Sequence, residues 1–133
     1  MSVKKMMEAY TKTDTTNLVE GNDPVAIVAL LFDELIRAMQ NFVKHSDPDT
    51  GKKDEHSRQF SRALTIIYGL QTSLNFEEGG EIADNLFQLY EYSRQQLLKD
   101  WKEKTTDGTE KAIASLDDIR DAWHQLSRQG VSS

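Results

Sequence analysis

Pro24-Val25-Ala26-Ile27-Val28-Ala29-Leu30-Leu31-Phe32-Asp33-Glu34-Leu35-Ile36-Arg37-Ala38-Met39-Gln40-Asn41-Phe42 repeats its apolar residues at helical spacing. Ile27, Leu31, Leu35, Ala38 and Phe42 make one stripe, and Val28, Phe32 and Met39 make a second beside it. Two stripes bury a helix over a wide arc, as inside a bundle. Asp23 before Pro24 reads as an N-cap followed by proline at the first helical position, where the missing N–H costs nothing. The turn formers Ser46-Asp47-Pro48-Asp49-Thr50-Gly51 end this helix near His45.

Downstream, the spacing predicts a second helix from Lys53 to Asn75, with Phe60, Ala63, Leu64, Ile67, Leu70 and Leu74 on one face. Gly69 inside it costs about 1 kcal/mol against alanine, so a close helix contact is the expected reason for it. Gly79-Gly80 reads as a break, with a third helix starting near Glu81 and running past Trp101. Thr105-Thr106-Asp107-Gly108 is the next turn, and Asp107 with Glu110 has capping-box spacing for a last helix ending before Gly130. Residues 23–130 are therefore expected to form an all-α, antiparallel up-down-up-down four-helix bundle. Residues 1–22 cluster Thr11, Thr13, Thr15 and Thr16, β-branched residues of low helix propensity. They are expected to form a mobile N-terminal arm, with a short extra helix as the alternative, and Tyr10 is expected outside the core.

The chain has 133 residues, which bounds it to one domain. No apolar run is long enough for a membrane span, and the N-terminus lacks the apolar region of a signal peptide. With no cysteine there is no disulfide or thiolate site, which fits a cytoplasmic location. The formal net charge of −6, without a basic tract, argues against nucleic-acid or anionic-membrane partners. Chemistry is poorly supported. The three histidines, His45, His56 and His124, fall near helix ends. Asp121-Ala122-Trp123-His124 is the nearest approach to a Glu-x-x-His metal motif, and it occurs once with the wrong acid. No phosphate loop or nucleophile elbow is present, so no enzyme activity, metal or cofactor is expected. Aromatic residues beyond a single inward stripe (Phe87, Tyr90, Tyr92, Trp123) either fill the core or line a groove for an amphipathic helix.

Several motifs resemble the FliS family of flagellar export chaperones. They are Ala9-Tyr10; Leu30-Leu31-Phe32-Asp33-Glu34-Leu35; Ser73-Leu74-Asn75-Phe76-Glu77-Glu78-Gly79-Gly80-Glu81-Ile82-Ala83-Asp84-Asn85-Leu86; Leu89-Tyr90-Glu91-Tyr92; and Ile119-Arg120-Asp121-Ala122-Trp123. Departures are Glu34 for glycine, Ser93 for methionine, Gln95-Gln96 for a basic pair, and a longer stretch between Tyr10 and Pro24. The resemblance implies a cytoplasmic helical bundle that binds the disordered C-terminal segment of flagellin and blocks its premature polymerisation. It further implies delivery to the flagellar type III export gate, with a co-chaperone as an additional candidate partner. The arm carrying Tyr10 is implied to lie on the bundle and to be rearranged by flagellin. Candidate flagellin-binding residues are Tyr10, Ile66, Leu70, Phe87, Tyr90, Arg94, Ile119 and Trp123. Arm-docking candidates are Met7, Tyr10, Leu18 and Val19. Asp33 and Asn85 are read as polar anchors between helices, with a groove role as the alternative. A generic helical adaptor of a secretion system is the other reading, and a small bundle enzyme or metal carrier is the third.

Overall fold

Helices α1 (Val3–Thr11), α2 (Pro24–Lys44), α3 (Lys53–Thr72), α4 (Phe76–Glu103) and α5 (Asp107–Ser132) make up the architecture of this computed structural model. The structure describes residues 3–11 and 24–132, and no strand occurs among them. Helix α2 packs against α3 and α5, and α4 closes the ring by packing against the same two. Neighbours run antiparallel. Phe42, near the end of α2, stacks on His56 at the start of α3. Eight residues earlier on α2, Glu34 pairs with Arg62 further along α3 at 2.6 Å.

Both stripes of α2 are used. Val28, Phe32, Leu35, Met39 and Phe42 are all buried, with Ile67 and Leu70 of α3 and Leu86, Tyr90 and Leu97 of α4 around them. Ile27 and Leu31, expected on one stripe, are only half-buried. Ala112, Leu116 and Trp123 bring α5 into the same core. An arc this wide on α2 is what the doubled periodicity implies, because that helix has neighbours on more than one side.

The helix ends depart from expectation: α3 stops at Thr72 rather than Asn75, α5 runs on to Ser132 rather than ending before Gly130, and the starts of α4 and α5 are held in unexpected ways. Helix α4 begins at Phe76 rather than near Glu81, because the Asn75 side chain accepts the Glu78 N–H at 3.0 Å and caps an extra turn. Gly80 then takes φ 50° and ψ −125°, a conformation that only glycine adopts without strain, and the helix continues after a kink. The start of α5 is held by Asp100 of α4 instead of a capping box. Its carboxylate accepts the Thr109 N–H at 2.7 Å and the Thr105 hydroxyl at 2.6 Å. Burial pushes the Asp100 carboxyl up, but the hydrogen bonds from Thr105 and Thr109 outweigh this and hold it below its ordinary value. The close contact expected at Gly69 is not there: a Cβ at that position would meet no atom within 4 Å.

Candidate functional site

The expected loose arm contains a docked helix. In α1, Met6, Ala9 and Tyr10 follow the i, i+3, i+4 pattern, and all three are buried. Tyr10 is 2% exposed, so the expectation that it lies outside the core is corrected. Tertiary burial outweighs the weak helix propensity of the surrounding threonines. Helix α1 lies chiefly on α4, with lesser contact to α2 and α5.

Its seat is the corner where α3 ends and α4 begins, and this corner is short of backbone partners. In the last turn of α3 the Leu74 N–H turns to the Gln71 carbonyl at 3.3 Å, leaving the Leu70 carbonyl without its usual i+4 donor. The Tyr10 hydroxyl donates to that carbonyl at 2.9 Å and is also hydrogen-bonded to the Tyr90 hydroxyl at 2.9 Å. Burial, then the neighbouring Tyr90, raises the Tyr10 phenol well above its ordinary value; burial likewise raises Tyr90, so both stay protonated. At the Phe76 end, the Asn75 N–H donates to the Ala9 carbonyl at 2.7 Å. Gly79 explains how close α1 comes: a Cβ there would lie 2.8 Å from the Ala9 Cα and 2.9 Å from the Ala83 Cβ. The glycine pair thus has two separate duties, close approach at Gly79 and a left-handed kink at Gly80.

Beneath α1 the aromatic rings interlock. Tyr10 meets Trp123 edge-on at 5.5 Å, and Phe32 contacts both Tyr90 and Trp123 at 6.0 Å. Trp123 is fully buried, yet its Nε1 has no hydrogen-bond partner. That N–H is an unmet donor beside the helix that covers it.

The structure therefore gathers Tyr10, Leu70, Tyr90 and Trp123 into one site. Ile66, Phe87 and Ile119 are half-buried around the bundle, and Phe87 meets the exposed Phe76 at 5.9 Å. Arg94 is tied up elsewhere: it pairs with Glu91 at 2.5 Å, and hydrogen bonds from Arg94 and Gln95 draw the Glu91 carboxyl down to about 2. Met7 points outward, 42% exposed, so it does not help to dock α1. Leu18 and Val19 lie outside the described residues. Asp33 is half-buried and sits 2.8 Å from the His124 Nε2, linking α2 to α5. Asn85 is exposed, which corrects its reading as an anchor; Ala83, Leu86 and Tyr90 take the inward phase of α4 and turn it outward.

Outside this corner, Leu30 of α2 (59% exposed) and Tyr68 of α3 (69% exposed) offer apolar surface that a core-directed reading passes over. The Leu30-Leu31 doublet was the available signal, since neighbouring helix residues cannot both face inward. No group of three or more acidic, histidine or cysteine side chains suited to a metal occurs among the described residues, and none of their helices is long and apolar enough to cross a membrane.

Comparison with known proteins shows the family. The family model described as flagellar protein FliS matches residues 6–130. The flagellar secretion chaperone FliS of Salmonella typhimurium is 32% identical over 126 residues, covering 91% of this chain and 89% of that one. Its counterpart in Vibrio cholerae is 27% identical over 124 residues, covering 90% and 87% respectively. The flagellar secretion chaperone FliSB of Pseudomonas aeruginosa is 27% identical over 131 residues, with 96% and 99% covered. A helical bundle closed by a docked N-terminal helix, matched along nearly its whole length, makes this chain a member of the FliS family of flagellar secretion chaperones.

Proposed function

We propose that this protein binds the C-terminal segment of flagellin in the cytoplasm, keeps it from polymerising early, and presents it to the flagellar type III export apparatus. The observation that carries this reading is α1 itself. A short amphipathic helix is seated on the bundle through Met6, Ala9 and Tyr10, so the α3–α4 corner is a surface built to receive a helix. Exposed Leu30 and Tyr68 supply apolar area along which a longer segment could extend. A disordered client gains from burying its apolar face and loses from being ordered, so binding needs no ATP or metal. The negative charge keeps a protein with exposed apolar surface in solution.

Calorimetric titration with a peptide of roughly the last 40 residues of flagellin tests it. Coupled folding should give one-to-one binding with a large negative heat-capacity change. A peptide that does not bind, or binds without that heat-capacity signature, defeats the reading.

A further inference from the structure

At the end of the bundle away from α1, a cleft of about 520 Å3 opens between the α2–α3 turn and the last turn of α4. That volume lies in the range of ligand sites. Its floor is Trp101, 40% exposed. The indole stacks on His56 (5.2 Å, 17°) and on Phe60 (4.4 Å, 11°), and His56 stacks in turn on Phe42 (4.5 Å, 15°). Four rings braced in this way fix the indole in place, so an incoming group finds the surface already ordered.

The wall is equally fixed. The Asp47 carboxylate accepts N–H groups from Asp49 at 2.8 Å and Thr50 at 3.2 Å, and the Gly51 N–H closes back on the Asp47 carbonyl at 2.8 Å. Gly51 lies against the His45 carbonyl so closely that no Cβ would fit. The His45 Nδ1 accepts the Lys52 N–H at 3.2 Å, which ties the turn to the start of α3.

The charge here opposes that of the molecule. Lys53 and Lys104 line the cleft, and neither has an ion-pair partner among the described residues. The one carboxylate among the lining residues, Asp47, is engaged by backbone N–H groups, while Asp54 and Glu103, the chain neighbours of the two lysines, are not among that lining. Lys104 stands at φ 59° and ψ 45°, left-handed backbone where glycine ends a helix without strain and a side chain costs roughly 1 kcal/mol. A lysine occupies that position, at the same cleft as an exposed indole, on a chain of net charge −6.

We infer that this cleft is a second protein-docking site, taking an aromatic side chain carried on an acidic segment of a partner protein. The stacked floor receives the ring, and Lys53 and Lys104 meet its flanking carboxylates. The inference does not rest on the flagellin reading, because the cleft and the α1 seat lie at opposite ends of α3 and α4.

The test titrates the full chain with the tryptophan-free peptide acetyl-Asp-Glu-Phe-Glu-Asp-amide, following tryptophan emission and, in parallel, calorimetry. Saturable binding is expected, and the Lys53→Glu, Lys104→Glu double variant should weaken it about tenfold or more. Both lysines are exposed, so that variant should keep its circular dichroism and its affinity for a flagellin tail peptide. Trp101→Ala should remove the emission response and lower the calorimetric affinity. The inference is overturned if no binding occurs up to millimolar peptide, or if acetyl-Lys-Lys-Phe-Lys-Lys-amide binds as well. It is overturned too if affinity survives the charge reversal, or if free phenylacetate matches the peptide, which would make this a small-molecule pocket.

Discussion

Replacing Gly79 by alanine would place a methyl carbon 2.8 Å from the Ala9 Cα, 2.9 Å from the Ala83 Cβ and 3.1 Å from the Ala9 Cβ. None of these is the end of a flexible side chain that could swing aside. The backbone of α1 must therefore move away, and the first turns of α4 must shift to free Ala83; overpacking of this kind costs about 1–3 kcal/mol. An independent route gives a similar figure. A shift of α1 stretches the 2.7 Å bond from Asn75 to Ala9 and the 2.9 Å bond from Tyr10 to Leu70, each contributing about 0.5–1.5 kcal/mol net. Urea unfolding followed by circular dichroism reads the total. Tryptophan emission reads the displacement, because Tyr10 packs 5.5 Å from Trp123. Adding Ala9→Gly to the variant relieves the 3.1 Å contact and leaves the 2.8 Å one, so stability should return only in part. Unchanged stability together with unchanged emission for Gly79→Ala would refute the idea that this glycine exists to seat α1.

Gly69→Ala should do the opposite and stabilise by up to about 1 kcal/mol, visible as a higher urea midpoint, because the position is helical and open. Tyr10→Phe keeps the ring but orphans the buried Leu70 carbonyl and removes the partner of the Tyr90 hydroxyl, and should cost about 1–3 kcal/mol while raising hydrogen exchange in α1. Trp123→Ala empties a fully buried indole site and should cost about 3–5 kcal/mol; a melting temperature left unchanged would contradict its burial. Asp100 sets a pH dependence. Its carboxyl is lower in the folded than in the unfolded state, so its contribution is present above the ordinary carboxylate value near 3.9. That contribution disappears as pH falls through the folded value, and Asp100→Asn should flatten the acid limb of stability against pH.

What sequence periodicity conveys is the direction of helix faces, and here it conveyed α2 to α5 well. Core positions such as Phe32, Leu35, Ile67, Leu86 and Leu116 stand on the faces their spacing assigns. It conveys much less where a position depends on a distant neighbour. Helix α1 has a poor intrinsic signal because its order comes from Leu70, Tyr90 and Trp123, residues 60 or more positions away. Gly79 and Gly69 look alike in a list of helix breakers, yet one touches Ala9 and the other touches nothing. Asp100 caps a helix that begins after it in the chain, an arrangement without local spacing. Among the candidate site residues, aromatic excess pointed to Tyr90 and Trp123. Asn85 was misread because a motif position says nothing about helix phase unless it is checked against Ala83 and Leu86.

The two tryptophans are placed so that each end of the molecule reports on itself. Trp123 is shielded and sits under α1, whereas Trp101 is partly wet and stands at the far end. Emission should therefore resolve into a shorter-wavelength component and a longer-wavelength, quencher-accessible one. An aqueous quencher such as iodide would silence the second and leave the first, so events at the two ends could be timed separately in one unlabelled sample.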